Sequence, residues 1–166
     1  MIVEIIAWFA VACGCFVMQT TLMPVLAIFG VQPDLLTIML MALSFRYGSM
    51  TGIWAGFCIG LCQDIYSPSV LGQNALAKAF VGFFVGIFNE RVMSTDPTIK
   101  LAILGVAFVI HDSLFMGVEL FRHGTTFGAL LLSVITATLP RAIYSALFAA
   151  VYYFWDYYAK PRSMKR

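Results

Sequence analysis

His111 and Asp112 stand side by side in an apolar stretch, and an imidazole beside a carboxylate is the pairing of a general base with the group that orients it. A second polar set breaks the apolar pattern between Gly60 and Leu76, where Asp64, Ser67, Pro68 and Gly72 fall within nine residues. A third consists of the ionisable residues Lys78, Asp112, Glu119 and Arg141, each inside an apolar run. None of the three carries a complete catalytic signature. The sequence holds no nucleophile elbow, no HExxH zinc pair and no phosphate-binding glycine loop. Cys58 and Cys62 share a helix face, yet no histidine or acid is patterned around them, so they and Cys13 and Cys15 read as small packing residues. No enzymatic activity, cofactor or metal is expected. Nor is nucleic-acid binding, for which the chain lacks the cationic surface.

The elements that must position these residues follow from composition. Of 166 residues, 61% are hydrophobic and 11% charged, against about 25% charged in a soluble domain. Mean hydropathy is +0.92. So few polar side chains cannot coat a globule, and lipid is the expected solvent for one polytopic all-α membrane domain covering residues 1–166. No cleavable signal peptide is expected, because Glu4 stands where a basic leader would begin and the first apolar run is long enough to remain in the membrane.

Six segments read as membrane helices, at about 3–22, 34–46, 50–65, 71–89, 98–121 and 127–155. Pro33 and Asp34 open the second, and Asp96-Pro97 makes a carboxylate cap followed by a first-turn proline for the fifth. Pro140 predicts a kink in the sixth. Arg46, Arg91, Lys100, Lys160, Arg162, Lys165 and Arg166 fall on one side of this layout and Arg122 on the other. By the positive-inside rule both termini are then cytoplasmic and the 60–76 turn faces outward. The aromatic run Tyr152–Tyr158 would mark the cytoplasmic interface, and the basic tail would contact anionic lipid.

Gly48, Gly52, Gly56 and Gly60 recur every fourth residue on the third helix, and Gly82 and Gly86 repeat the spacing on the fourth. Such a ridge lets another backbone approach closely, either within the chain or from a partner helix. The buried charges carry a separate demand. Each costs about 2.5–3.5 kcal/mol near a helix centre, so Lys78 and Arg141 are expected to neutralise some of Asp34, Asp64, Asp112 and Glu119, with a Lys78–Asp64 pair the one to test. Gly105, Asp112 and Glu119 form one stripe at seven-residue spacing, and Ser133, Ala137, Thr138, Arg141 and Ser145 a small, polar half of the last helix.

The pattern Gly60-x-x-x-Asp64-x-x-Ser67-x-x-x-Leu71-Gly72-x-x-Ala75-Leu76, preceded by Pro33-Asp34-Leu35, resembles the MreD family of bacterial rod shape-determining membrane proteins. The match is most specific over 33–90, with departures at Pro68 and Asn74 that are expected to stiffen the turn. The resemblance implies a non-enzymatic scaffold of the cell-wall elongation complex in the bacterial inner membrane. It would act with MreC and, through it, with RodA, a class B penicillin-binding protein and MreB. It also implies a fold similar to the substrate-binding subunits of energy-coupling-factor vitamin transporters, which supplies the alternative of a small-molecule-binding transporter subunit. Those subunits dock through an Ala-x-x-x-Ala motif on the first helix, where this chain has Ala10-x-x-x-Gly14.

Overall fold

A computed structural model describes residues 2–22, 24, 25, 27, 32–67, 70–89, 97–123, 128, 132, 136 and 138–159, with side chains for all of these except 97, 119–123, 148 and 151–159. Helices are the only regular structure among them: α1 (Ile2–Thr21), α2 (Leu35–Tyr47), α3 (Ser49–Tyr66), α4 (Gln73–Ile87), α5 (Pro97–His123) and α6 (Leu139–Ala159). Among the described residues two helices, Ile2–Thr21 and Thr98–Val118, are long and apolar enough to cross a bilayer on their own. The apolar helices α2 and α4 have 13 and 15 residues. At about 1.5 Å per residue they reach roughly 20 Å, short of the ~30 Å hydrocarbon layer.

The local sequence explains where the helices stop. Gly48 alone separates α2 from α3, with φ +88 and ψ −177, a backbone region open essentially only to glycine. Its N–H donates to the Ser44 carbonyl and its own carbonyl accepts from Gly52, so both backbone groups of Gly48 are hydrogen-bonded. Gly72, at φ +96, makes the corresponding left-handed step into α4. Pro97 opens α5, and Pro140 is the second residue of α6, directly after a π-helical stretch at 136 and 138. The segment before Pro140, over which a kink was expected, lies largely outside the described residues, as does Asp96.

The helix α4 sits among α2, α3 and α5, while α5 also packs on α6 and α1 rests on α2. The apolar core is built from Leu40, Met41 and Phe45 of α2, Val81 and Val85 of α4, Leu104 and Phe108 of α5, and Ala142 and Ala149 of α6. By contrast α3 buries only Gly52, Gly56, Gly60 and Asp64, and α1 buries no residue at all. Hydrophobic side chains on α1 and on the outer face of α3, such as Phe9, Met50 and Trp54, stay exposed. That inversion of the soluble rule is what a lipid solvent permits.

The glycine ridge is occupied within the chain. A methyl group at Gly52 would strike the Gly82 backbone, one at Gly56 the Lys78 carbonyl, and one at Gly60 the Asn74–Ala75 backbone. Reciprocally, Gly82 meets Gly52 and Gly86 meets Ser49. Of the two uses the spacing leaves open, an internal seam or a partner's docking face, α4 takes up the first.

Candidate functional site

The start of α2, the end of α3 and the start of α4 lie at one end of the helix set, and most of the buried polar side chains gather there and in the adjoining parts of α5 and α6. Asp34, Thr37, Asp64, Gln73, Asn74, Lys78, His111, Asp112, Thr138 and Ser145 are all buried. Groups of this kind are tolerated only when they satisfy one another.

Asp34 is the N-cap of α2: its Oδ1 accepts from the Thr37 N–H at 2.9 Å and its Oδ2 from the Thr37 hydroxyl at 2.7 Å. The same Oδ2 takes the Lys78 ammonium of α4 at 2.8 Å, and Lys78 also donates to Thr37 Oγ1. Lys78 is fully buried, at 0% exposure. Two other helices hold the backbone at this point. The Asp34 N–H donates to Ser145 Oγ of α6 at 3.1 Å, while Gln19 of α1 accepts from the Leu35 N–H and donates to the Pro33 carbonyl. Pro33, Asp34 and Leu35 thus form the junction at which α1, α2, α4 and α6 are tied.

Asp64 works differently from the pairing considered above. Its Oδ1 accepts from the Asn74 N–H and the Asn74 side-chain amide, both at 2.9 Å. Its Oδ2 accepts from Gly72 N–H at 2.9 Å and Ala75 N–H at 3.1 Å. The carboxylate at the end of α3 therefore caps the N-terminus of α4, where unpaired N–H groups and the helix dipole favour an anion. With those four donors around it, Lys78 turns to Asp34 rather than to Asp64. Ser67 terminates α3 through its N–H to the Gln63 carbonyl. Ala75 lies under Gly60, whereas Leu71 and Leu76 point away, 71% and 56% exposed. Pro68 falls outside the described residues.

Asp64→Asn is expected to cost about 1–3 kcal/mol, since the amide brings its own N–H groups toward the donors of α4 and leaves at least one of them unpaired. A thermal or denaturant unfolding midpoint in detergent measures it, and an unchanged midpoint would remove Asp64 as the cap.

The third group joins α5 to α6. His111 Nδ1 lies 3.0 Å from Asp112 Oδ1, and Arg141 Nη1 approaches the same carboxylate at 3.3 Å to Oδ1 and 3.5 Å to Oδ2. Asp112 is buried, while the Arg141 side chain keeps 38% exposure. On the other side Gln73 of α4 donates to the Phe115 carbonyl of α5 at 2.7 Å. The side chain of Glu119 is outside the described residues.

Of the charges singled out from the sequence, Asp34, Lys78, Asp112 and Arg141 come together across helices, and Asp64 serves the α3–α4 turn. Gln19, Thr37, Gln73, Asn74 and Ser145 join them without having been picked out as site residues. Thr37 had a signal, a hydroxyl three residues after a capping carboxylate. Gln73 and Asn74 are the two amides of α4, whose one other polar side chain is Lys78. No signal in one sequence points from Gln19 or Ser145 to the α2 start.

Chemically the arrangement is a set of caps and ion pairs. Among the described residues no group of three or more metal-ligating side chains gathers; Asp64 is engaged by donors at the start of α4, and Asp34 and Asp112 each by donors from both their own helix and another. A family model described as rod shape-determining protein MreD matches residues 1–158, nearly the full chain. Comparison with curated proteins and with solved structures finds no match.

Proposed function

The chain belongs to the MreD family of rod shape-determining proteins, and from that premise we propose that it is a non-enzymatic membrane scaffold of the cell-wall elongation complex, acting with MreC. The match over residues 1–158 carries this reading. Its mechanism would be to hold MreC, and through it RodA, a class B penicillin-binding protein and MreB, in a productive arrangement. The internal geometry favours such a role: Asp34, Lys78, Asp64 and Asp112 are spent on fastening helices to each other, which suits a rigid platform. Because α4 fills the glycine ridge, partner helices would meet outward faces instead. The chain would cross the inner membrane several times with both termini in the cytoplasm, so that a fluorescent protein fused at the C-terminus glows and a periplasmic phosphatase fused there stays inactive.

Detergent co-purification followed by mass spectrometry tests the partner. Recovery of a single-span MreC-like protein is the expected result. Recovery of ATPases with a coupling subunit would instead establish the alternative, a substrate-binding transporter subunit. Depletion should convert rods to spheres, a change that a vitamin transporter would not produce in vitamin-replete medium.

A further inference from the structure

Among the described charged side chains of the polar seam, Arg141 alone is not buried. It keeps 38% exposure, against 3% for Asp112 and none for Lys78. A guanidinium carries five N–H donors, and both contacts of Arg141 with Asp112 run from Nη1, at 3.3 Å to Oδ1 and 3.5 Å to Oδ2. A well-made charge-assisted bond is shorter, at about 2.7–2.9 Å. Among the described residues no acceptor meets Nη2 or Nε. Asp112, for its part, also has His111 Nδ1 at 3.0 Å. The pair thus satisfies the acid and leaves the base with donors to spare.

Depth makes those spare donors costly. Asp112 stands six residues inside the nearer end of the apolar span Thr98–Val118, about 9 Å at the helical rise. The guanidinium that reaches it therefore lies in hydrocarbon, below the lipid headgroups. It stays protonated there, and no water is at hand to accept from it.

We propose that Arg141 is a contact by which a transmembrane helix of another chain is held, its spare N–H groups donating to an uncharged amide or hydroxyl side chain on that helix. The inference rests on the scaffold reading and gives the chemistry of the partner's membrane segment. Charge selects the acceptor. Arg141 and Asp112 cancel, so a partner carboxylate would leave a net negative charge in the hydrocarbon. A lipid phosphate would do the same and would also have to sink about 9 Å. A neutral acceptor fills the donors and keeps the balance. The apolar groove between α5 and α6, about 470 Å³ and lined by Ala102, Gly105, Val106 and Ala142 among others, makes no such demand. It would take an acyl chain as readily as a helix.

Photocrosslinking in living cells tests this, with Tyr144→p-benzoylphenylalanine, one turn on from Arg141, as the probe and Val106→p-benzoylphenylalanine in the groove as the comparison. The expected result is a Tyr144 adduct to another membrane protein, mapped by mass spectrometry to a span that carries Asn, Gln, Ser or Thr. Changing that residue to Leu should lower the yield about tenfold, as loss of a hydrogen bond to a charged group does. Arg141→Met combined with Asp112→Asn should lower it equally. That pair strands no charge in the fold, and the unfolding midpoint in detergent checks that the fold survives. All three changes together should lower the yield no further. On the otherwise unmutated chain, the proposal is overturned by no Tyr144 adduct, by an adduct to lipid or to a second copy of this chain, or by a mapped span without an uncharged polar residue. An adduct from Val106 alone, or an undiminished yield in the Arg141 variant, overturns it too. If co-purification recovers the single-span partner while Tyr144 captures nothing, this inference fails and the scaffold reading stands. If co-purification recovers no such partner while Tyr144 captures a different membrane helix, the scaffold reading falls and the Arg141 contact stands.

Discussion

Lys78→Met is expected to destabilise the protein by about 3–5 kcal/mol, the usual cost of removing one member of a buried ion pair. The ammonium is fully buried and meets Asp34 Oδ2 at 2.8 Å. Without it, Asp34 keeps its charge in a low-dielectric seam with only the Thr37 donors and loses its link to α4. Asp34→Asn added to Lys78→Met should recover most of the loss, because asparagine still caps α2 and no charge is then stranded. The measurement is a double-mutant cycle on unfolding midpoints in mixed micelles. Additive effects at Asp34 and Lys78 would sink the pair. A parallel cycle of Lys78→Met with Asp64→Asn should be additive, since Asp64 is bound by the N-terminus of α4 instead.

Gly56→Ala carries the second large effect, and its sign depends on place rather than on chemistry. The added methyl group meets the Lys78 carbonyl, a backbone group in the middle of α4 that no rotamer change can move. Overpacking of this kind costs about 1–3 kcal/mol, and Gly56→Leu should go further and separate α3 from α4. The same glycine-to-alanine change at Gly14 or Gly105 meets open space. There the better helix propensity of alanine should stabilise by up to about 1 kcal/mol. Folded protein recovered after heating, and the shape of depleted cells supplied with each variant, would report both. Equal behaviour of Gly56→Ala and Gly105→Ala would show that the α3–α4 approach does not matter.

These two predictions mark where the sequence is legible. The ridge at Gly48, Gly52, Gly56 and Gly60 is visible as a spacing, because four residues make just over one helical turn. Its occupant is not visible, since an internal helix and a foreign one would select the same glycines. Likewise Asp34 can be read as a cap, being a carboxylate immediately before an apolar run, and the cap is found with Thr37. The partner of Lys78 could not be read. Asp34 and Asp64 stand 44 and 14 residues away, both at the same end of the helices. Only the rotation of α4 about its axis, with the donors of its first turn spent on Asp64, sends the ammonium to α2.

The residues by themselves therefore determined the solvent, the helical class and the family, through an apolar excess too large for water and a motif from Gly60 to Leu76, whereas Gly48, read as part of the third helix, proves to be the reversal between α2 and α3. The excess and the motif are local or summed properties, and each can be read without knowing what lies opposite. The tertiary structure decided which polar group answers which. Satisfaction of a buried charge is a pairwise matter, and the pairs Asp34–Lys78 and Asp112–Arg141, together with the Asp64 cap on α4, exist only once helices distant in the chain have come to rest against each other.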